Sequence, residues 1–204
     1  MLSRRHAGFT LVEMVVAIAI VAMLLMMGAP SFATWYQNLQ IRGAADSVQN
    51  GIALARAQAV QRNAPVSFQL VNSLDNSCAL LSTGTATRAS NWVVSMDPAA
   101  GSCAAATNET MTDTTPAPHM IQKRAGSDGS SNATLTVTGA SLMTFNGLGR
   151  LTTTATTIDV TNPTGGACQS ASGPMRCLRV TVSAAGQVRL CDPKFTAATD
   201  PQGC

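Results

Sequence analysis

The chain has 204 residues, enough for one domain with a small appendage. Charged residues make up only 11% and aromatics 4%, a mixture too apolar for a disordered chain and too poor in aromatics for a large enzyme core. The net charge is +3, but outside residues 1–8, which hold Arg4 and Arg5, 11 basic side chains face 10 acidic ones, so charge gives no reason to expect nucleic acid.

The chain opens with RRHAGFTLVEMVVA, residues 4–17, which leads into an apolar run. From Phe9 to Ala29 there are 21 residues with one charge, Glu13. As a helix they span roughly 31 Å, the thickness of a bilayer core. Arg4 and Arg5 place the short N-terminal end in the cytoplasm and the remainder outside. An ordinary secretory signal is the competing reading, with Ser31-Phe32-Ala33 as a small-x-small cleavage site. Against it stand the length of the run and the acid inside it. A buried carboxylate costs about 2.5–3.5 kcal/mol to insert at full depth, less near the interface, and an ordinary signal gains nothing from that cost.

Gly8-Phe9-Thr10-Leu11-Val12-Glu13 resembles the class III signal of type IV pilins and type II secretion pseudopilins. The resemblance implies that prepilin peptidase cuts after Gly8, that the new N-terminal Phe9 is methylated, and that the helix remains as anchor and later as filament core. It also implies that Glu13 pairs with the cationic N-terminus of a neighbouring subunit. In a low-dielectric filament core such a pair selects register, because a misplaced subunit leaves both charges bare. Pro30 falls where many pilins carry a helix-loosening proline.

Beyond Pro30, Ile41, Ala45, Val48, Ile52, Ala55 and Ala59 recur at spacings of one helical face. Gln37, Gln40, Asp46, Gln49, Gln58 and Arg62 fall largely on the other side, and Asn63 and Pro65 end the helix. Gly43 and Gly51 weaken it by about 1 kcal/mol each relative to Ala. One helix over about 9–62 is expected, bent at Pro30, its second half packed on a globular head. Trp35 and Tyr36 suit either an interfacial anchor or a contact with that head.

The head reads as β. VSFQLV (66–71) and CALL (78–81) suggest a hairpin, followed by strands at 91–96, 119–123, 133–138, 142–146, 157–161, 177–183 and 187–191. Ser183 to Gly186 is the turn of a final hairpin. Stretches 97–118 and 162–174 read as loops, each holding a cysteine. The expected organisation is a leader over 1–8, a membrane half-helix over 9–29, an amphipathic half over 30–63 and a β-rich head over 64–204. The fold class is α+β, a type IV pilin-like long helix packed on an antiparallel sheet.

Six cysteines without a C-x-x-C pair, and two histidines, argue against a metal site and for disulfides in an oxidising compartment, the periplasm. Spacing does not choose among 15 pairings. The expectation carried forward joins sequence neighbours: Cys78–Cys103, Cys168–Cys177 and Cys191–Cys204. No nucleophilic triad, paired carboxylates or phosphate loop is recognisable, so a non-enzymatic protein without cofactor is expected.

Three further stretches are similar to the branch that joins pseudopilin H with the minor pilins FimT and FimU. They are LARAQAVQRNAPV (54–66), FNGLGR (145–150) and RVTVSAAGQVRLC (179–191). Ala57 and Gln58 stand where that branch usually shows a serine and an acid. The branch implies a minor subunit at a filament tip that primes type IV pilus assembly. Its implied partners are other minor pilins, the major pilin or pseudopilins, prepilin peptidase and the inner-membrane assembly platform. A pseudopilin H role in secretion and a DNA-uptake receptor are the alternatives. Some members bind DNA through a G-R-x-R motif in the final hairpin; here it reads Gly186-Gln187-Val188-Arg189, with one arginine missing. Arg176, Arg179, Arg189 and Lys194 are the candidate DNA contacts, with solubilising charge as the plainer reading.

Overall fold

The structure is a computed structural model that describes residues 9–88, 91–108 and 117–204, and only the backbone of 27–30. Gly8 and the bend expected at Pro30 therefore fall outside the described residues. The chain divides into two compact units, Met1–Tyr36 and Gln37–Cys204. A helix, α1, runs over Leu11–Arg62.

In the first unit every large apolar side chain from Leu11 to Met26 is more than half exposed. The Phe32 and Trp35 rings meet tilted by 41°, with centroids 5.5 Å apart. Among the described residues no single helix is long and apolar enough to cross a membrane; Leu11–Met26 and Ser31–Arg62 pass that test only as a pair.

In the second unit, α1 buries Ile41, Ala44, Ala45, Val48, Ile52, Ala55 and Ala59 completely. Ser47 and Gln40 are also buried, against the expectation that Gln40 faces outward. Each has a polar task. Ser47 Oγ accepts the Trp92 indole N–H at 2.9 Å, and Gln40 Oε1 accepts the Asn132 backbone N–H at 3.2 Å. The helix ends in a Schellman motif: Asn63 takes φ 49°, its N–H donates to Val60 O, and the Ala64 N–H donates to Ala59 O.

The head holds β1 (Val66–Val71), β2 (Ala86–Thr87), β3 (Asn91–Ser95), β4 (Met120–Arg124), β5 (Thr134–Thr138), β6 (Leu142–Phe145), β7 (Thr156–Thr161), β8 (Leu178–Val182) and β9 (Val188–Cys191). They form two antiparallel sheets, ordered β4-β3-β1-β6 and β2-β5-β7-β8-β9, where the sequence suggested one. Residues 78–81 are not a strand. β6 already pairs with Val66–Gln69, so this segment reaches β1 only through the bridge Val71↔Leu80.

Both sheets share one core with α1: Phe68, Leu70 and Val94 from the first, Leu135, Ile158 and Val180 from the second. A second cluster lies on the far side of the first sheet, where Cys78, Ala99 and Cys103 cover Val71, Val93 and Met120. That double cover explains why all six residues of β1 are buried.

The two helix glycines behave oppositely. A Cβ at Gly51 would lie 2.6 Å from Phe68 Cε2 and 3.0 Å from Trp92, whereas one at Gly43 meets nothing closer than Gly129 O at 4.0 Å. Gly43→Ala should stabilise the chain by about 1 kcal/mol through helix propensity alone. Gly51→Ala should destabilise it by about 1–3 kcal/mol through overpacking, despite the same propensity gain. Thermal unfolding of the two variants beside the parent protein checks both signs.

Candidate assembly surfaces

The first surface is the start of α1. Phe9 is 79% exposed. Thr10 accepts the Glu13 backbone N–H on Oγ1 at 3.2 Å, and its carbonyl takes the first helical bond, from Met14. Thr10 is thus the N-cap and Glu13 the third helical residue, the T-x-x-E spacing of a capping box. One of the four orphan N–H groups of the helix end is satisfied, which matters where no water can reach it. The Glu13 carboxylate also lies in the first turn, beside the positive end of the helix dipole. This local role was readable in Thr10-x-x-Glu13 but is overshadowed by the hydrophobic run around it.

The second surface is the end of the head that carries the four basic candidates, and each is engaged within the chain. Arg179 Nε donates to Asp159 Oδ1 at 2.6 Å across β7 and β8. Arg176 Nε donates to Asp192 Oδ2 at 2.8 Å and its Nη2 to Gln202 Oε1 at 2.9 Å. Arg189 Nη2 donates to Gly203 O at 2.8 Å and Pro201 O at 3.2 Å. Lys194 Nζ donates to Gln169 Oε1 at 3.2 Å and lies 5.4 Å from the Phe195 ring centroid.

These bonds weld two disulfide loops together. Disulfides join Cys78 to Cys103, Cys168 to Cys177 and Cys191 to Cys204. The last closes the C-terminal tail, and Lys194 and Arg176 connect it to residues 168–177. Asp192 is the buried centre, 2% exposed, accepting from Arg176 and from the Lys194 backbone N–H. Arg176→Met should therefore cost about 1–3 kcal/mol, because it strips a buried carboxylate of its charged donor. Urea unfolding of the variant reads the loss.

His119 and Asp97 form a pair that the sequence did not suggest. The His119 ring Nδ1 and Asp97 Oδ2 are in direct contact, and the His119 backbone N–H donates to the same oxygen at 3.1 Å. Ser95 Oγ donates to the Asp97 carbonyl rather than to the histidine. The hydrogen bonds from His119, side chain first and backbone second, hold the Asp97 carboxyl below its ordinary value of 3.8. A lowered carboxyl contributes stability above its ordinary value and loses it as pH falls through the depressed one. Amide protection around Ser95–Asp97, taken relative to the unprotected exchange rate at each pH, should therefore fall below about pH 4, and Asp97→Asn should remove that pH dependence. Among the described residues no group of three or more His, Cys, Asp or Glu could hold a metal ion.

The chain thus carries a capped helix, exposed and apolar over Leu11–Met26, and a head of two antiparallel sheets. Its residues 3–29 match the prokaryotic N-terminal methylation motif. Residues 44–186 match the family described as type II transport protein GspH, and the chain belongs to that family. No curated protein matches the chain. Among solved structures, it is similar to the type IV minor pilin FimU of Pseudomonas aeruginosa strain PAO1, at 18% identity over 80% of this chain and 94% of that one, with a TM-score of 0.48. The minor pseudopilin EpsH from the type 2 secretion system of Vibrio cholerae is similar at 13% identity over 76% and 99% of the two chains, with a TM-score of 0.44.

Proposed function

We propose that this chain is a minor pilin that joins a filament-tip complex and primes assembly of a type IV pilus. The observation that carries the reading is the union of an N-terminal methylation motif, residues 3–29, with a GspH-family head, residues 44–186. Prepilin peptidase would cut between Gly8 and Phe9 and methylate Phe9. The unassembled subunit would sit in the bacterial inner membrane, with its three disulfides in the periplasm. On extraction by the assembly platform, the exposed apolar side chains of Leu11–Met26 would exchange lipid for the helices of other minor and major pilins. Glu13, already placed by the Thr10 cap, would then face the cationic N-terminus of its neighbour.

A type II secretion pseudopilin is the second reading, and the family's own description favours it. A DNA-uptake receptor has less support, because Arg176, Arg179 and Arg189 are each held by acceptors of the chain itself.

Replacing Glu13 by Ala should leave membrane insertion intact and lower incorporation into filaments by about tenfold or more, the cost of leaving one buried N-terminal charge bare. Quantitative blotting of membrane and sheared-filament fractions measures both; equal incorporation of the variant would sink the assigned role. Replacing Gly8 should leave the leader on, visible as an added mass of the first eight residues.

A further inference from the structure

β9 is an edge strand, and it is only partly covered. The hairpin closes with the Ser183 N–H donating to Gln187 O, and the register runs Thr181↔Arg189 and Arg179↔Cys191. Alternation in an antiparallel ladder therefore turns the backbone groups of Val188 and Leu190 away from β8. The next outward residue, Asp192, is already paired: its N–H donates to Gln202 O at 2.7 Å, in a parallel bridge Asp192↔Gly203. The chain's own tail, folded in turns over residues 196–203, thus pairs with this edge at Asp192 alone and stops short of Leu190. Among the described residues, Val188 and Leu190 have no strand partner on that side.

Space lies where such a partner would run. Val188 borders a cavity of about 660 Å³ whose other wall is the exposed face of α1, including Asn50, Ala53, Ala57 and Val60. Leu190 borders a second of about 200 Å³, with Arg42 and Arg176. The charge along this groove is one-sided. Arg42 and Arg56 each spend only Nε internally, on Asp46 and on Gly149 O, and their terminal nitrogens have no partner among the described residues. The carboxylates nearby are Asp46, engaged with Arg42, and Asp192, buried and engaged with Arg176.

We propose that the groove between β9 and α1 binds an extended, acid-bearing polypeptide strand, which pairs with the free backbone groups of Val188 and Leu190 and continues the edge begun by the tail. Main-chain bonds supply the affinity, small or aliphatic side chains fit over Ala53, Ala57 and Val188, and a carboxylate meets Arg42 or Arg56. This site lies outside Leu11–Met26, the helix segment assigned above to filament contacts, so its test does not depend on them.

The test uses the intact chain in detergent micelles and the synthetic peptide Ac-TTIDVT-NH2, a strand with one acid. At ten times its Kd, the bound peptide should slow amide exchange at Val188 and Leu190 about tenfold. The Asp-to-Asn peptide should bind several-fold more weakly, and a peptide N-methylated at alternate residues should not protect these amides. In the protein, Leu190→Pro removes an outward N–H while sparing the ladder to β8, and it should abolish protection at Val188. Unchanged exchange at both amides with millimolar peptide would overturn the proposal, as would equal protection by the N-methylated peptide. Protection confined to the other edge strands, β2, β4 or β6, would overturn it as well.

Discussion

The head depends on how closely two sheets approach one helix. Ile41, Ala44, Ala45, Val48, Ile52, Ala55 and Ala59 form a stripe dominated by small side chains, all without exposed surface. Gly51 completes it, in contact with the rings of Phe68 and Trp92, which lie 5.7 Å apart. Larger residues there would push the sheets away from the helix and open the single core that they share. The polar groups inside follow from the same closeness. Trp92 can bury its indole only because Ser47 offers an oxygen, and Asn132 its N–H only because Gln40 reaches it. The cost of a polar side chain in the core is offset by the donor it satisfies.

Residues 11–26 present the opposite condition. They carry apolar surface on every side, so no single face can be hidden by packing on one partner. Lipid or a ring of neighbouring helices covers such a surface; water does not. The methylation motif covers this same segment, and under the proposed function the two are views of one requirement, stability first in a bilayer and then among neighbouring helices. The Thr10 cap fits both settings, because it settles a backbone donor without help from solvent.

Much of this was legible in the chain. Six of the seven stripe residues, all but Ala44, announced themselves by helical spacing, and Asn63 and Pro65 marked the helix end where the Schellman motif lies. Eight of the nine strands fall within a residue or two of their expected places, because Val, Thr and Ile alternate there between turn residues. What was not legible depended on distance. That 78–81 fails as a strand follows from β6 taking the same edge of β1, a competition between segments 60 residues apart that local pattern does not encode. β2 has two residues, too few to show a period. The division into two sheets, and the pairing of Asp97 with His119, likewise arise only when the chain is folded. Basic residues were read as a potential ligand surface, since sequence shows charges but not the Asp192, Asp159 and tail carbonyls that engage them.

The central claim is that this protein works by being built into, and by starting, a filament. The most direct measurement is the yield of sheared surface pilin from a strain lacking the gene, beside the same strain complemented. The account predicts a loss of filaments that complementation restores. Filament yield equal to the parent strain would contradict the priming role.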